Sequence, residues 1–175
     1  MKANITLAAD KDVIVQLKMI SQIRLVLGKA NIKFWLRGGW AIDFLLGGLT
    51  RPHSDIDLVA WRHDASQLRE QLVAHGFAFV RKTAVQHDFT KQNQEISVVF
   101  VTQKGNEVYV DEIPEWIWFP DALSYPPQQL NGLSCHVLSP KQLLEEKVGY
   151  QNGTGRPLRP KDRESIAILR ERLLS

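Results

Sequence analysis

The stretch from Leu36 to Leu58 constrains this chain most. It opens Leu36-Arg37-Gly38-Gly39-Trp40-Ala41-Ile42-Asp43 and closes Asp55-Ile56-Asp57-Leu58. Phe34-Trp35-Leu36 is a short apolar run with β-favouring aromatics, which predicts a strand entering the glycine pair. Trp40 to Leu46 predicts a short helix, closed by Gly47-Gly48. A strand, two glycines and a helix N-terminus allow backbone N–H groups to approach a phosphate closely. In the second half, side chains alternate along a strand, so Asp55 and Asp57 share one face while Ile56 and Leu58 turn to the core. Their Cα atoms then lie roughly 6.5–7 Å apart, a separation from which two carboxylates can grip one or two divalent cations. The plainer alternative is a tight turn followed by two solvated aspartates. That alternative leaves two like charges on one face, where they repel unless a cation lies between them.

Gly38-Gly39 followed by Asp55-Ile56-Asp57 resembles the signature of the nucleotidyltransferases of the DNA polymerase β superfamily. The fuller pattern, Gly-Gly-Trp-Ala-Ile-Asp up to Thr50-Arg51-Pro52-His53-Ser54-Asp55-Ile56-Asp57, is similar to the small aminoglycoside and lincosamide nucleotidyltransferases, with the same spacing from Gly39 to Asp55. The resemblance implies an α/β (α+β) fold, a mixed β-sheet flanked by helices with a C-terminal helical segment. It also implies transfer of a nucleotide from an NTP to a hydroxyl, with Mg2+, two ions in the usual arrangement. Asp55 and Asp57 are then the metal ligands. Gly38, Gly39 and Trp40 offer backbone N–H groups to the phosphates, with Arg37, Arg51 and Lys147 as charge partners.

Composition narrows the setting. The chain has 175 residues, enough for one domain or one domain with a helical appendage. We divide it at residue 138, into a catalytic unit over 1–138 and helices over 139–175 packed on it. No run approaches ~20 apolar residues, so no membrane span is expected. The N-terminus reads as lacking a secretory signal, and cytoplasmic residence is the natural expectation. The single Cys135 excludes an internal disulfide and a cysteine-built zinc site. A net charge of +3 suits an anionic nucleotide without demanding nucleic acid. Oligomeric state is not legible.

Along the chain, residues 10–29 predict an amphipathic helix capped by Asp10, with Val13, Leu17, Ile20, Ile23 and Leu27 inward. Asp64 to His75 predicts a second helix. Strands are expected over 77–80, 85–90, 95–102, 107–113 and 133–138. In relatives a third carboxylate stands on the strand beside Asp-x-Asp. Aligned on Val98 to Val101, that position is Ser97 here, and Glu95 lies two residues earlier on the same face. Glu95 is either the third acid, metal ligand and catalytic group, or a strand-end surface residue. Asp43 and His53 read as structural and turn residues.

The segment Asp111 to Asp121 carries four carboxylates, three aromatics and no basic residue, with two prolines that argue for an irregular loop. One reading is a connection with solvated acids. The other is an acceptor pocket, with Asp111, Glu112 and Glu115 pairing with ammonium groups and Trp116 and Trp118 against a sugar ring. Such a pocket favours a small cationic acceptor over tRNA, whose enzyme needs a basic face. An enzyme acting on tRNA or protein, and a non-catalytic nucleotide-binding relative, remain alternatives. Ser139-Pro140-Lys141-Gln142 predicts a helix start with a capping box. Lys147 on that helix is solvated by spacing alone, and the resemblance moves it to the nucleotide phosphates. Gln151 to Arg159 reads as a loop, and Pro160 opens the last helix.

Overall fold

Asp10 caps the first helix by accepting from the N–H groups of Asp12 and Val13 at 2.9 and 3.3 Å. In the computed structural model, which describes residues 10–83 and 86–175, this helix is α1 (Lys11–Lys29). The expected targeting-free N-terminus and Val85 at the start of an expected strand lie outside the described residues. Val13, Ile20, Ile23 and Leu27 of α1 are buried, as their spacing requires. The chain then enters β1 (Phe34–Arg37), turns at Gly38 and runs through α2 (Gly38–Leu46). Gly47, in the left-handed region at φ 64°, closes α2.

Next come β2 (Asp55–Trp61), a single 3-10 turn, and α3 (Ala65–Ala74). They are followed by β3 (Ala78–Val80), β4 (Gln86–Lys91), β5 (Gln94–Lys104), β6 (Glu107–Val110) and β7 (Ile113–Trp118). The sheet order is β1-β2-β5-β4-β3, and the far end of β5 pairs with β6, which pairs with β7. Only the β2–β5 pair is parallel among these, so the sheet is mixed. Its register sets Asp55 beside Glu95 and Asp57 beside Ser97, and β4 adds Asp88 next to Ser97. Register neighbours share a face, so these polar groups lie together while Ile56, Ile96 and Phe89 form a fully buried apolar row behind them. Each such buried side chain contributes about 1.5–3 kcal/mol.

A small hairpin of β8 (Gln128–Leu130) and β9 (Leu133–Cys135) leads back to β1, where Leu36 N–H donates to the His136 carbonyl at 2.9 Å. Helices α4 (Pro140–Thr154) and α5 (Pro160–Leu174) pack on each other.

Three expectations need correction. The irregular loop expected over 111–121 is a tight turn followed by β7. Among the described residues β7 pairs with β6 alone, and an edge strand tolerates proline because one side of its backbone needs no partner. The loop expected from Gln151 is helix as far as Thr154, closed by Gly155 at φ 66°. The capping box of α4 is half-formed. Ser139 accepts from the Gln142 N–H at 3.3 Å, but the Gln142 side chain accepts instead from the Phe119 N–H at 3.1 Å. Gln142 thereby ties α4 to the end of β7.

Candidate active site

Arg37 stands opposite Asp57 in the β1–β2 register, so the glycine turn that follows lies directly against the Asp57 carboxylate. A Cβ on Gly38 would come within 2.6 Å of Asp57 Oδ2, and Gly38 has φ +64°. Gly39 is held bare for a different reason: a Cβ there would overlap the His53 ring and meet Arg51 Nη2 at 3.0 Å. Both glycines thus permit close approach of site residues to the first turn of α2, whose free N–H groups at Gly38, Gly39 and Trp40 can face an anion. Gly38→Ala is expected to strain the backbone by about 1–2 kcal/mol and to push Asp57 aside. Nucleotide affinity should fall well beyond what the loss in thermal stability accounts for, and parallel melting and calorimetry check this.

Behind the turn sits a buried polar frame. Asp43 accepts from Thr50 Oγ at 2.5 Å and the Thr50 N–H at 3.2 Å, and pairs with His53 Nε2 at 2.7 Å. The His53 ring packs on Trp40 with centroids 4.8 Å apart. Trp40 donates to Gln16 Oε1 at 2.9 Å, and Gln16 in turn donates to the His53 carbonyl at 3.1 Å. Trp40 therefore offers a ligand only its backbone, its indole being part of the core. His53, buried on Asp43, fixes the approach to Asp55.

A cleft of about 150 Å³ opens on this turn, lined by Gly39, Arg51, His53, Ser54, Asp55, Asp57, Lys147, Arg159 and Lys161. Four cations face two carboxylates there. Burial pushes the Asp57 carboxyl up to about 6, Arg37 opposes that rise, and Asp55 beside it adds to it. Two adjacent, partly buried aspartates that repel each other fit a divalent cation between them. Among the described residues no ready-made group of three His, Cys, Asp or Glu side chains suited to a metal ion is present.

Glu95 explains why. It stands in register with Asp55, but its half-exposed carboxylate is bound to Lys82 Nζ at 2.8 Å. Ser97 donates to Asp88 Oδ1 at 2.9 Å, and Asp88, itself buried, also accepts from Gln86 Nε2 at 2.7 Å. The structure puts Glu95 on the expected face, held by a lysine.

Lys147 lines the cleft. It donates to Asp162 Oδ1 at 3.1 Å, and Arg159 reaches Asp162 through Nε and Nη2 at 2.6 and 3.0 Å. Burial would raise the Asp162 carboxyl, but hydrogen bonds from Arg159 and Lys147 hold it down at about 2. Arg159, Lys161 and Ser54 were not singled out from sequence. The Pro160-Lys161-Asp162-Arg163 helix opening is the signal that could have found Lys161.

Arg37 lines a different cleft from Arg51 and Lys147. Its guanidinium pairs with Glu146 at 3.3 Å and lines a second, larger cleft of about 480 Å³. Glu115, Trp116 and Trp118 of β7 form one wall of this cleft, and Glu145, Glu146 and Tyr150 of α4 the other. Trp116 packs so near α4 that a Cβ on Gly153 would meet its ring at 3.3 Å. Asp111 and Glu112 stand outside it. Asp111 pairs with Arg62 at 3.2 Å, and Glu112, at φ 68°, forms the exposed turn between β6 and β7. The acids missed from sequence, Glu145 and Glu146, immediately precede Lys147 on α4, so one helix serves both clefts.

This fold is found in solved nucleotidyltransferases. The chain superposes on ANT(2'')-Ia in complex with adenylyl-2''-tobramycin with a TM-score of 0.76 at 21% identity, covering 91% of this chain and 90% of that one. It superposes on the lincomycin-bound lincosamide antibiotic adenylyltransferase LnuA with a TM-score of 0.70 at 18% identity, covering 87% and 95%. The fold class is thus the polymerase β-like nucleotidyltransferase fold expected from the glycine and aspartate motifs. The family model for aminoglycoside-2''-adenylyltransferase matches residues 19–169, and the chain belongs to that family. A 2''-aminoglycoside nucleotidyltransferase of Klebsiella pneumoniae is 49% identical over 107 residues, 61% of this chain and 52% of that protein. A second protein of that name, from Escherichia coli, is 46% identical over 43 residues, 25% and 24% of the two chains. The chain thus spans about half the length of the first of these relatives and about a quarter of the second. No helix among the described residues is long and apolar enough to cross a membrane.

Proposed function

We propose that this protein is a magnesium-dependent nucleotidyltransferase that moves a nucleoside monophosphate from an NTP to a hydroxyl of a cationic aminoglycoside-like acceptor. One observation carries this reading: a basic cleft with two aspartates and an acidic cleft with tryptophans adjoin at Glu146-Lys147, with Arg37 of the acidic cleft opposite Asp57 of the basic one. A triphosphate needs the first and a polyammonium sugar the second. The α2 N–H groups, Arg51 and Lys147 bind and orient the phosphates, with Arg159 and Lys161 added to the set. Asp55 and Asp57 would hold magnesium, with Glu95, paired with Lys82 in this structure, as the third carboxylate, and the ion would supply Lewis-acid charge at the α-phosphate. The acceptor oxygen attacks the α-phosphorus, the bond to pyrophosphate breaks, and Glu95 is the carboxylate proposed to take the hydroxyl proton.

Residues 1–138 supply the aspartates and Arg51, and 139–175 supply Lys147, Arg159 and Lys161, so we read the two parts as one catalytic unit. Its relatives' substrates make cytoplasm, where NTP is abundant, the fitting location. A non-catalytic relative would bind Mg-NTP without turnover, and the Lys82–Glu95 pair is the feature that favours it. An acid-lined cleft disfavours a tRNA acceptor.

The acidic cleft has its own test. Glu115→Gln with Glu145→Gln is expected to weaken tobramycin binding by roughly two- to thirtyfold, since each exposed pair is worth about 0.2–1 kcal/mol. Added salt should erode the same binding in the wild type. Calorimetry at two ionic strengths checks both, and an unchanged affinity in the double variant contradicts the acceptor assignment.

A further inference from the structure

The Arg37–Glu146 pair lines the acidic cleft and borders the nucleotide cleft, Arg37 standing opposite Asp57 and Glu146 preceding Lys147. Arg37 leaves β1 opposite Asp57 and its guanidinium lies 3.3 Å from Glu146, with the two side chains only 23% and 17% exposed. Glu146 lines the acidic cleft, while Lys147, the next residue, lines the basic one. Arg37 is thus one cation facing two anionic partners, Glu146 on one side and the aspartate end of the nucleotide cleft on the other. Burial works against its charge, yet Glu146, Asp57 and Asp55 together hold its pKa above the ordinary value. A charge that buried stays where its anionic partners are strongest.

We infer that Arg37 and Glu146 are positioning residues that couple the two substrates, Arg37 leaving Glu146 for the nucleotide phosphates and so freeing Glu146 for an acceptor ammonium. This rests on the two-cleft reading above and adds a direction to it. With the nucleotide absent, an ammonium must compete with Arg37 for Glu146 and is repelled by the guanidinium. A bound triphosphate adds an anion on the other side of Arg37 and draws it across. The acceptor then meets an unpaired carboxylate. Linkage requires the converse, so a bound acceptor strengthens nucleotide binding by the same factor.

The test is calorimetric titration of tobramycin into the full chain, with and without saturating magnesium and α,β-methylene-ATP. In the wild type the nucleotide should tighten tobramycin binding by about fivefold or more. Arg37→Gln should bind tobramycin more tightly than wild type when nucleotide is absent, and the nucleotide should then add almost nothing. Glu146→Gln should bind Mg-nucleotide more tightly than wild type, because Arg37 is released in advance. A residue that only supports the fold would weaken both ligands, so these gains separate the two roles. Should Arg37→Gln fail to fold by circular dichroism, Glu146→Gln decides alone. Tobramycin binding that ignores the nucleotide in the wild type, or coupling that survives either substitution, overturns the inference and leaves the acceptor site standing. No tobramycin binding to the wild type under any condition overturns the acceptor reading, and the inference with it.

Discussion

Asp55→Asn with Asp57→Asn is expected to abolish magnesium-dependent nucleotide binding while leaving the fold at least as stable as the wild type. The two effects have one cause. Asp57 is a partly buried carboxylate beside another, its pKa pushed to about 6 by desolvation first and by Asp55 as well, against the pull of Arg37. At pH 7 it is charged at a cost to the fold, and a cation is what offsets that cost. Asn keeps the shape and removes the charge, so the apo protein loses a repulsion and the metal loses its ligands. Loss of a partner that merely orients a ligand already lowers metal affinity by roughly 10–100-fold, so losing both ligands should exceed that range.

The pH dependence has a definite sign. The Asp57 pKa is higher folded, at about 6, than its ordinary 3.8, so the folded state holds the proton more tightly. Wild-type stability relative to Asp57→Asn should therefore fall as pH rises from about 4 to about 6 and level off above. Magnesium should reverse this trend near neutral pH. Denaturant melts of both proteins across that window, with and without magnesium, check it.

The second large effect concerns stability alone. Asp162 is fully buried and receives Lys147 from α4 and Arg159 from the start of α5. Asp162→Ala leaves two cations around a site with no anion, and breaking a buried pair in this way costs about 3–5 kcal/mol. The expected result is a melting temperature lowered by many degrees and loss of the basic cleft's shape. Its acid titration is of the opposite kind to that of Asp57. The folded pKa, about 2, lies below the ordinary 3.8. The stabilisation is complete above pH 4 and is lost as pH falls towards 2. In Asp162→Asn that acid-dependent loss should shrink, which separates this group from the other carboxylates.

Much of the architecture was legible because it depends on short-range rules. Asp10, Gly38-Gly39, Gly47 and Ser139-Pro140 punctuate the chain, and alternation in Asp55-Ile56-Asp57-Leu58 is enough to set which face holds the acids. The β7 strand was not legible, since its proline argues for a loop unless the strand is known to lie at a sheet edge. Which residues line the cleft was legible where the motif itself forms it, as at Asp55, Asp57, Gly39 and Arg51. It failed where tertiary pairing decides. Nothing local tells that Asp111 is taken by Arg62, that Lys82 reaches Glu95, or that Glu145 and Glu146 swing to face Trp116. The mixture of cations and acids in α4 looks like an ordinary solvated helix until Arg37 of β1 and Trp116 of β7 are seen against it.

The most direct measurement is mass spectrometry of tobramycin after incubation with the protein, ATP and magnesium. The two-cleft reading expects a tobramycin species heavier by one adenylyl group, pyrophosphate released in equal amount, and neither product with Asp55→Asn and Asp57→Asn. Unmodified tobramycin beside a wild type that binds both ligands would contradict nucleotidyl transfer to an aminoglycoside and leave a protein that binds without reacting.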